Sequence, residues 1–422
     1  MTTPPPSQAD TAEAGDSGAS EPHGLSLTQL RKAIWPEGRR VPRRKVRCRH
    51  CGQRNRVQVP EAALSPERHR CGSCDGALFL DRDEPLTRIA SEAYEHSLDR
   101  RSLSALKSIP GASAIIRYLL ERISDRSARL FYMSDAVRCD EDQFPELLQL
   151  VNRARARLDI DLQPTLFVGE SPHMNALTSG VSEPVIVVRS ALIDSMDDDE
   201  LLAVLGHELG HLHAGHPLYQ TVAQALLQGA ASASVMVRVL SLPIHRALLV
   251  WVRCAELTAD RAALLASRDL AACLGTMITF AGGKRRHKGG RGELKLAPFI
   301  RQCRELAALQ SQSSVDALLG GYLSMDRTHP HLAWRVMHLI HWVEHGNYLD
   351  ILAGDYRRRQ ALTLLSAGAK KAIAALPTTN RAEALPAASE AEALPEPATE
   401  APIASEAQGE DAETPRQEAS DD

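Results

Sequence analysis

Residues Leu201–His216 read LLAVLGHELGHLHAGH, and within them His207-Glu208-Leu209-Gly210-His211 forms an H-E-x-x-H pattern. On an α-helix, residues four apart share a face, so His207 and His211 project side by side. Two imidazoles so placed can hold one zinc ion. Glu208, one residue on, is near enough to touch a water at the metal without ligating it. The surroundings predict the helix. Asp197 can cap it and Glu200, three residues later, can close a capping box. Leu201, Val204, Leu205, Leu209 and Leu212 recur at helical spacing. Gly206 and Gly210 each cost a helix about 1 kcal/mol relative to Ala. Glycines four apart beside two histidines therefore predict close approach of another backbone.

A catalytic zinc needs a third protein ligand and an open position for water. His213 and His216 are near in sequence. A better candidate lies downstream in the helical run Trp251-Val252-Arg253-Cys254-Ala255-Glu256-Leu257-Thr258-Ala259-Asp260. Glu256 can be the third ligand, and Asp260, one turn on, can accept the free N–H of a ligating histidine.

With HELGH at 207–211 and ELTAD at 256–260, the chain resembles the gluzincin endopeptidases that include the heat-shock protease HtpX and the CAAX prenyl proteases. Two further segments carry the resemblance. Asn175-Ala176-Leu177-Thr178-Ser179-Gly180 leads into Pro184-Val185-Ile186-Val187-Val188, and Thr328-His329-Pro330 is followed by Arg335. The resemblance implies an α+β fold: a mostly helical zincin-type metalloprotease domain with a small sheet. It implies a zinc endopeptidase acting on protein or peptide substrates, in a setting of protein quality control. Glu208 is the expected general base. His329 or Arg335 is the expected electrophilic stabiliser. The segment containing Asn175 and Val187 is expected to pair with an extended substrate by strand addition.

Cys48, Cys51, Cys71 and Cys74 form two C-x-x-C pairs separated by 19 residues. Four thiolates at this spacing make a closed, structural zinc site, and the segment resembles a zinc ribbon. Two zinc ions are thus expected, one catalytic and one structural. Cys139, Cys254, Cys273 and Cys303 are scattered in helical contexts and read as small core or surface residues. Thiolate ligands and unpaired cysteines favour a reducing compartment, so the expected location is cytoplasmic. The ribbon is crowded with Arg39, Arg40, Arg43, Arg44, Lys45, Arg47, Arg49, Arg54 and Arg56, but no aromatic residue interleaves them to stack on bases. A second basic run, Lys284–Arg291, reads as a loop. With a formal net charge of −4, nucleic acid is not an expected partner.

The expected organisation is an unstructured segment 1–24, the basic ribbon 25–83, the metallopeptidase domain 84–375 and an acidic Ala/Glu/Pro-rich tail 376–422. In the tail, Glu383-Ala384-Leu385-Pro386 recurs at Glu392–Pro395. Its sparse apolar residues cannot build a core. The protease domain is expected to act without the ribbon, since four cysteines close the ribbon's own metal site. Helices are expected over Gln143–Leu158, across 217–250 in one or two pieces, through Glu256, and over Ala297–Leu309 and Leu332–Glu344. Strands are expected at Thr165–Val168 and Val185–Val188. The most apolar run, Thr221–Val237, carries two glutamines and is followed by Arg238, so no membrane span stands out. Peripheral membrane contact stays open. The competing reading is a zinc-ribbon adaptor whose protease-like domain binds peptides without cleaving them. The intact Glu208 speaks against it.

Overall fold

Val185–Val188 is an unbroken apolar run, and such runs form strands covered on both faces. In the computed structural model this is strand β6 of a mixed four-stranded sheet, with all four side chains fully buried. The structure describes residues 26–38, 40–120, 125–232, 235–283, 293–312 and 330–359. The segment 1–24, the tail from 376, the basic run 284–291 and His329 lie outside the described residues. The sheet comprises β3 (Val137–Arg138), β4 (Thr165–Gly169), β5 (Ala176–Ser179) and β6 (Val185–Arg189), in the order β3-β4-β6-β5. The central pair β4–β6 is parallel; β3–β4 and β5–β6 are antiparallel. β5 therefore lies at an edge of the sheet among the described residues, between β6 and the HELGH helix.

That helix runs Asp198–Ala214. Asp197 accepts from the backbone of Glu200 at 3.0 Å, and Glu200 accepts from the backbone of Asp197 at 3.2 Å, closing the capping box. Gly215 ends it in the left-handed region (φ 75°), where Gly is unstrained. Its chief neighbour is the long helix Val235–Ser267, which carries Glu256 and Asp260. A Cβ at Gly206 would meet the Ala266 Cβ at 2.5 Å, and one at Gly210 would meet the Ala262 Cβ at 2.4 Å. The two glycines are what let the helices approach, as the sequence predicts. The long helix continues through Pro243 and unites what the sequence suggests as separate helices. The lost N–H and ring clash cost about 3 kcal/mol. Burial of Ile244, Leu248, Trp251, Val252 and Ala255 in an apolar cluster with Leu218, Tyr219 and Val222 offsets this.

The remaining predicted helices occur at Pro145–Leu158, Leu296–Gln312 and Leu332–His345. Among the described residues no helix is long and apolar enough to cross a membrane.

The ribbon is a hairpin of β1 (Arg43–Arg47) and β2 (Arg54–Gln58), in which Lys45 faces Arg56 and Arg47 faces Arg54. Arg43, Lys45, Arg47, Arg54 and Arg56 share its exposed face. The opposite face packs inward, onto the body of the protein. Val46, Val57, Leu78 and Phe79 belong to the same hydrophobic core as Leu205, Leu209, Leu349 and Leu352. Leu80 N–H donates to Leu352 O at 2.7 Å, and Arg44 Nε donates to Asp350 at 3.2 Å. A two-stranded hairpin has too little surface to bury a core alone, so it completes its burial against the helical body.

Candidate active site

His207 and His211 lie one turn apart on the HELGH helix, and Glu256 reaches them from the long helix. Their Nε2 atoms are 3.1 Å apart. Glu256 stands 3.5 Å from His207 Nε2 and 3.4 Å from His211 Nε2. A tetrahedron with metal–donor bonds of 2.0–2.1 Å has edges of about 3.3 Å. The spacing of the three donors thus fits zinc.

The electrostatics fit a cation as well. Burial lowers the His207 pKa, but the Asp260 and Glu256 carboxylates outweigh it and raise the pKa to about 9. Burial, together with His207 and His216, holds His211 below its usual value despite Glu256. Asp260 takes its place beside His207 Nδ1 at 3.2 Å. Burial would raise the Asp260 pKa, yet Arg335 and His207 hold it below the usual carboxylate range.

Glu208 is 5% exposed and points at β5, where the Thr178 hydroxyl donates to its Oε2 at 2.6 Å. Asn175, Ala176, Leu177, Thr178 and Ser179 line one wall of a cleft of about 240 Å³. His207, Glu208, His211 and Glu256 form its floor, and Ala223, Leu249 and Val252 add apolar wall.

Two sequence-based expectations change, and one holds. Val187 does not face the cleft; it is fully buried with Phe167 and Val185, and pairs with Leu177 of β5. β5 intervenes, so β5 rather than β6 borders the cleft. Arg335 is not free to act as an electrophile towards substrate. It is 9% exposed, its Nε and Nη2 donate to Asp260 at 2.9 and 2.5 Å, and its Nη1 lies 3.1 Å from Glu256. His213 and His216 stay out of the ligand set. His213 Nδ1 meets the Tyr94 hydroxyl at 2.8 Å, whereas His216 Nδ1 lies 2.8 Å from the Nδ1 of His211, away from its ligating atom.

Sequence reasoning missed Thr178, Asp99 and the role of His216. Thr178 stands in the NALTSG stretch, where alternation along a strand would have marked it for the same side as Ala176. No sequence signal links Asp99 to His216, which lie on different helices.

The four ribbon thiols also converge. All ligand atoms lie within 4.8 Å of one another, with Cys48–Cys74 and Cys51–Cys71 at 3.7 and 3.6 Å. Tetrahedral Zn–S bonds of 2.3 Å imply edges of about 3.7 Å. The backbone N–H groups of Ser73 and Cys74 and the Asn55 amide pull Cys71 down to about 6. Cys74 is pushed up to about 12; a backbone N–H from Gly76 favours its thiolate, but burial and the neighbouring thiols outweigh it. Such crowding is relieved by a bound cation. No described cysteine is bridged, and Cys139, Cys254, Cys273 and Cys303 are buried.

Residues 141–343 match the model of peptidase family M48. The chain is 30% identical over 294 residues to the plastoglobule-localized metallopeptidase 48, chloroplastic, of Arabidopsis thaliana, covering 68% of this chain and 81% of that protein. It is 41% identical over 68 residues to the protease HtpX homolog of Helicobacter acinonychis, covering 16% of this chain and 21% of that one. It is 37% identical over 93 residues to protease HtpX of Xanthomonas axonopodis pv. citri, covering 22% and 30%. The crystal structure of S. mikatae Ste24p aligns at a TM-score of 0.25 with 18% identity, covering 45% of this chain and 49% of that one, a likeness too slight to decide anything. The match to the Arabidopsis protein and the family match both span the helix pair that brings His207, His211 and Glu256 together, and the chain belongs to peptidase family M48, the HtpX/Ste24-like zinc metallopeptidases.

Proposed function

We propose that the protein is a zinc-dependent endopeptidase that cleaves unfolded or extended segments of protein substrates. The observation that carries this reading is the convergence of three donors at 3.1–3.5 Å beside a carboxylate that is not itself a donor. His207, His211 and Glu256 would hold the metal. Zinc, when bound, polarises a peptide carbonyl and lowers the pKa of a water to about 7.

The chain's own residues do the rest. Glu208 takes a proton from the attacking water and returns it to the leaving amine. Thr178 holds the Glu208 carboxylate by its Oε2. Asp260 accepts from His207 Nδ1, and Arg335 fixes Asp260 and Glu256 against each other. Arg335 thus positions the ligands. The edge of β5 receives the substrate backbone by strand addition, which reads peptide geometry with little regard to side chains. That supports a role in clearing damaged proteins. The unbridged cysteines support a reducing, cytoplasmic setting, and the cysteine cluster a structural zinc. A peptide-binding adaptor would not need Glu208 held in place.

Glu256→Ala tests the ligand set. The expected outcome is loss of one zinc per chain together with peptidase activity on an unfolded protein. Full zinc content in this variant would remove Glu256 from the set.

A further inference from the structure

His211 is held from behind as well as from the cleft. Gly215 turns the chain in the left-handed conformation, and His216 opens the next helix, His216–Ser232. This reversal lays the His216 ring over the last turn of the HELGH helix, 5.0 Å from the His211 ring. Its Nδ1 is 2.8 Å from His211 Nδ1, and its Nε2 is 3.1 Å from Asp99 Oδ2. Asp99 is 1% exposed, and His216 is 3% exposed. Trp251 Nε1 donates to Asp99 Oδ1 at 2.8 Å, and the Thr258 hydroxyl donates to Oδ2 at 2.6 Å. The Trp251 ring also stands edge-on to His216 at 5.5 Å.

The hydrogens in this chain have one consistent arrangement. His211 must keep the lone pair on Nε2 to ligate, so its hydrogen sits on Nδ1. That hydrogen meets His216 Nδ1, which must then be the acceptor. The Gln220 side-chain amide stands farther off, 3.5 Å from His211 Nδ1, against 2.8 Å for His216. With Nδ1 accepting, His216 carries its hydrogen on Nε2 and donates it to Asp99. The two other contacts to Asp99 are donors, which requires the carboxylate to be ionised and acceptor-only.

We infer that His216, oriented by Asp99, is a positioning residue that holds His211 in its metal-binding tautomer. The pairing of a metal-ligating histidine with a carboxylate is thereby extended through a second imidazole. His207 reaches Asp260 directly, whereas His211 reaches Asp99 through His216. Partners of this kind affect metal affinity by about 10- to 100-fold. The inference rests on the zinc reading of His207, His211 and Glu256.

The test measures metal binding by the full-length protein. Zinc affinity is read by competition with a chromophoric chelator, and ligand geometry by the visible spectrum after cobalt substitution. Asp99→Asn presents an amide donor to His216 Nε2 and reverses the chain of hydrogens. His216→Phe removes the acceptor. Both are expected to weaken zinc at the histidine site about 10- to 100-fold and to shift the cobalt band. His216→Asn, whose Oδ1 takes the place of the Nδ1 acceptor, is expected to recover most of the affinity. A merely structural role would not separate Asn from Phe in this way. Should His216→Phe fail to fold, the near-isosteric Asp99→Asn decides. Wild-type affinity in Asp99→Asn, or in a folded His216→Phe, would overturn the inference. His207→Ala keeps the two readings apart: if it leaves zinc binding intact, the zinc site itself is wrong; if it abolishes binding while Asp99→Asn does not weaken it, only the His216 assignment fails.

Discussion

At the scale of single residues, the site is a set of side chains each fixed by a partner that the reaction does not consume. Thr178 is the least expected of these. Its hydroxyl donates to the carboxylate proposed to take the water's proton. A hydrogen bond to a charged group contributes about 1.5–3 kcal/mol. Thr178→Val keeps the shape of the side chain and removes the donor. It is expected to lower kcat about 10-fold or more while leaving zinc content and KM near their original values. Unchanged kcat would mean that Glu208 is held by its surroundings alone. The ligand residues were legible in the sequence because helical spacing puts His207 and His211 on one face. Thr178, Asp99 and His216 were not, because their roles depend on contacts between elements that local spacing does not encode.

At the scale of elements, the central device is the contact between the HELGH helix and the long helix. Gly206 and Gly210 announced it in the sequence, since a helix has no local use for them. The structure supplies the partners, Ala266 and Ala262, themselves small. Gly210→Ala tests this contact. Intrinsic propensity would stabilise the helix by about 1 kcal/mol. The added methyl would sit 2.4 Å from the Ala262 Cβ and 3.3 Å from the Ala259 Cα. Overpacking of this kind costs about 1–3 kcal/mol. A net loss of stability is expected in chemical denaturation, with weaker zinc binding as Glu256 is pushed from the histidines. A variant more stable than the parent would show that the helices are not in close contact there. The strand positions were equally legible from their apolar runs. Which strand borders the cleft was not, because Val187 and Leu177 are both apolar and only the pairing of β5 with β6 orders them.

At the scale of the whole molecule, the ribbon and the metallopeptidase body share one core. The cysteine spacing made the ribbon visible, but it carries no information about what its inner face covers. Val46 and Val57 are single apolar positions in basic strands, too few to predict docking. Packed against the body, they bury alongside Leu78, Phe79 and Leu352. Cys48→Ser/Cys51→Ser is therefore expected to lose the thiolate-bound zinc and to lower the Tm of the entire protein in one transition, with activity falling in parallel. An unchanged main transition would restore the picture of a separable module. The exposed basic face of the hairpin takes no part in this core, and its cations are free to remain solvated.

The most direct measurement of the central claim is zinc content and cleavage of an unfolded protein substrate, compared between the full-length protein and Glu208→Gln. The account predicts that the variant keeps its zinc, because Glu208 is held by Thr178 and is not among the three converging donors, and that its turnover falls about 100-fold or more, as expected on removing a general base. A variant that retains zinc and cleaves at the parent rate would contradict it.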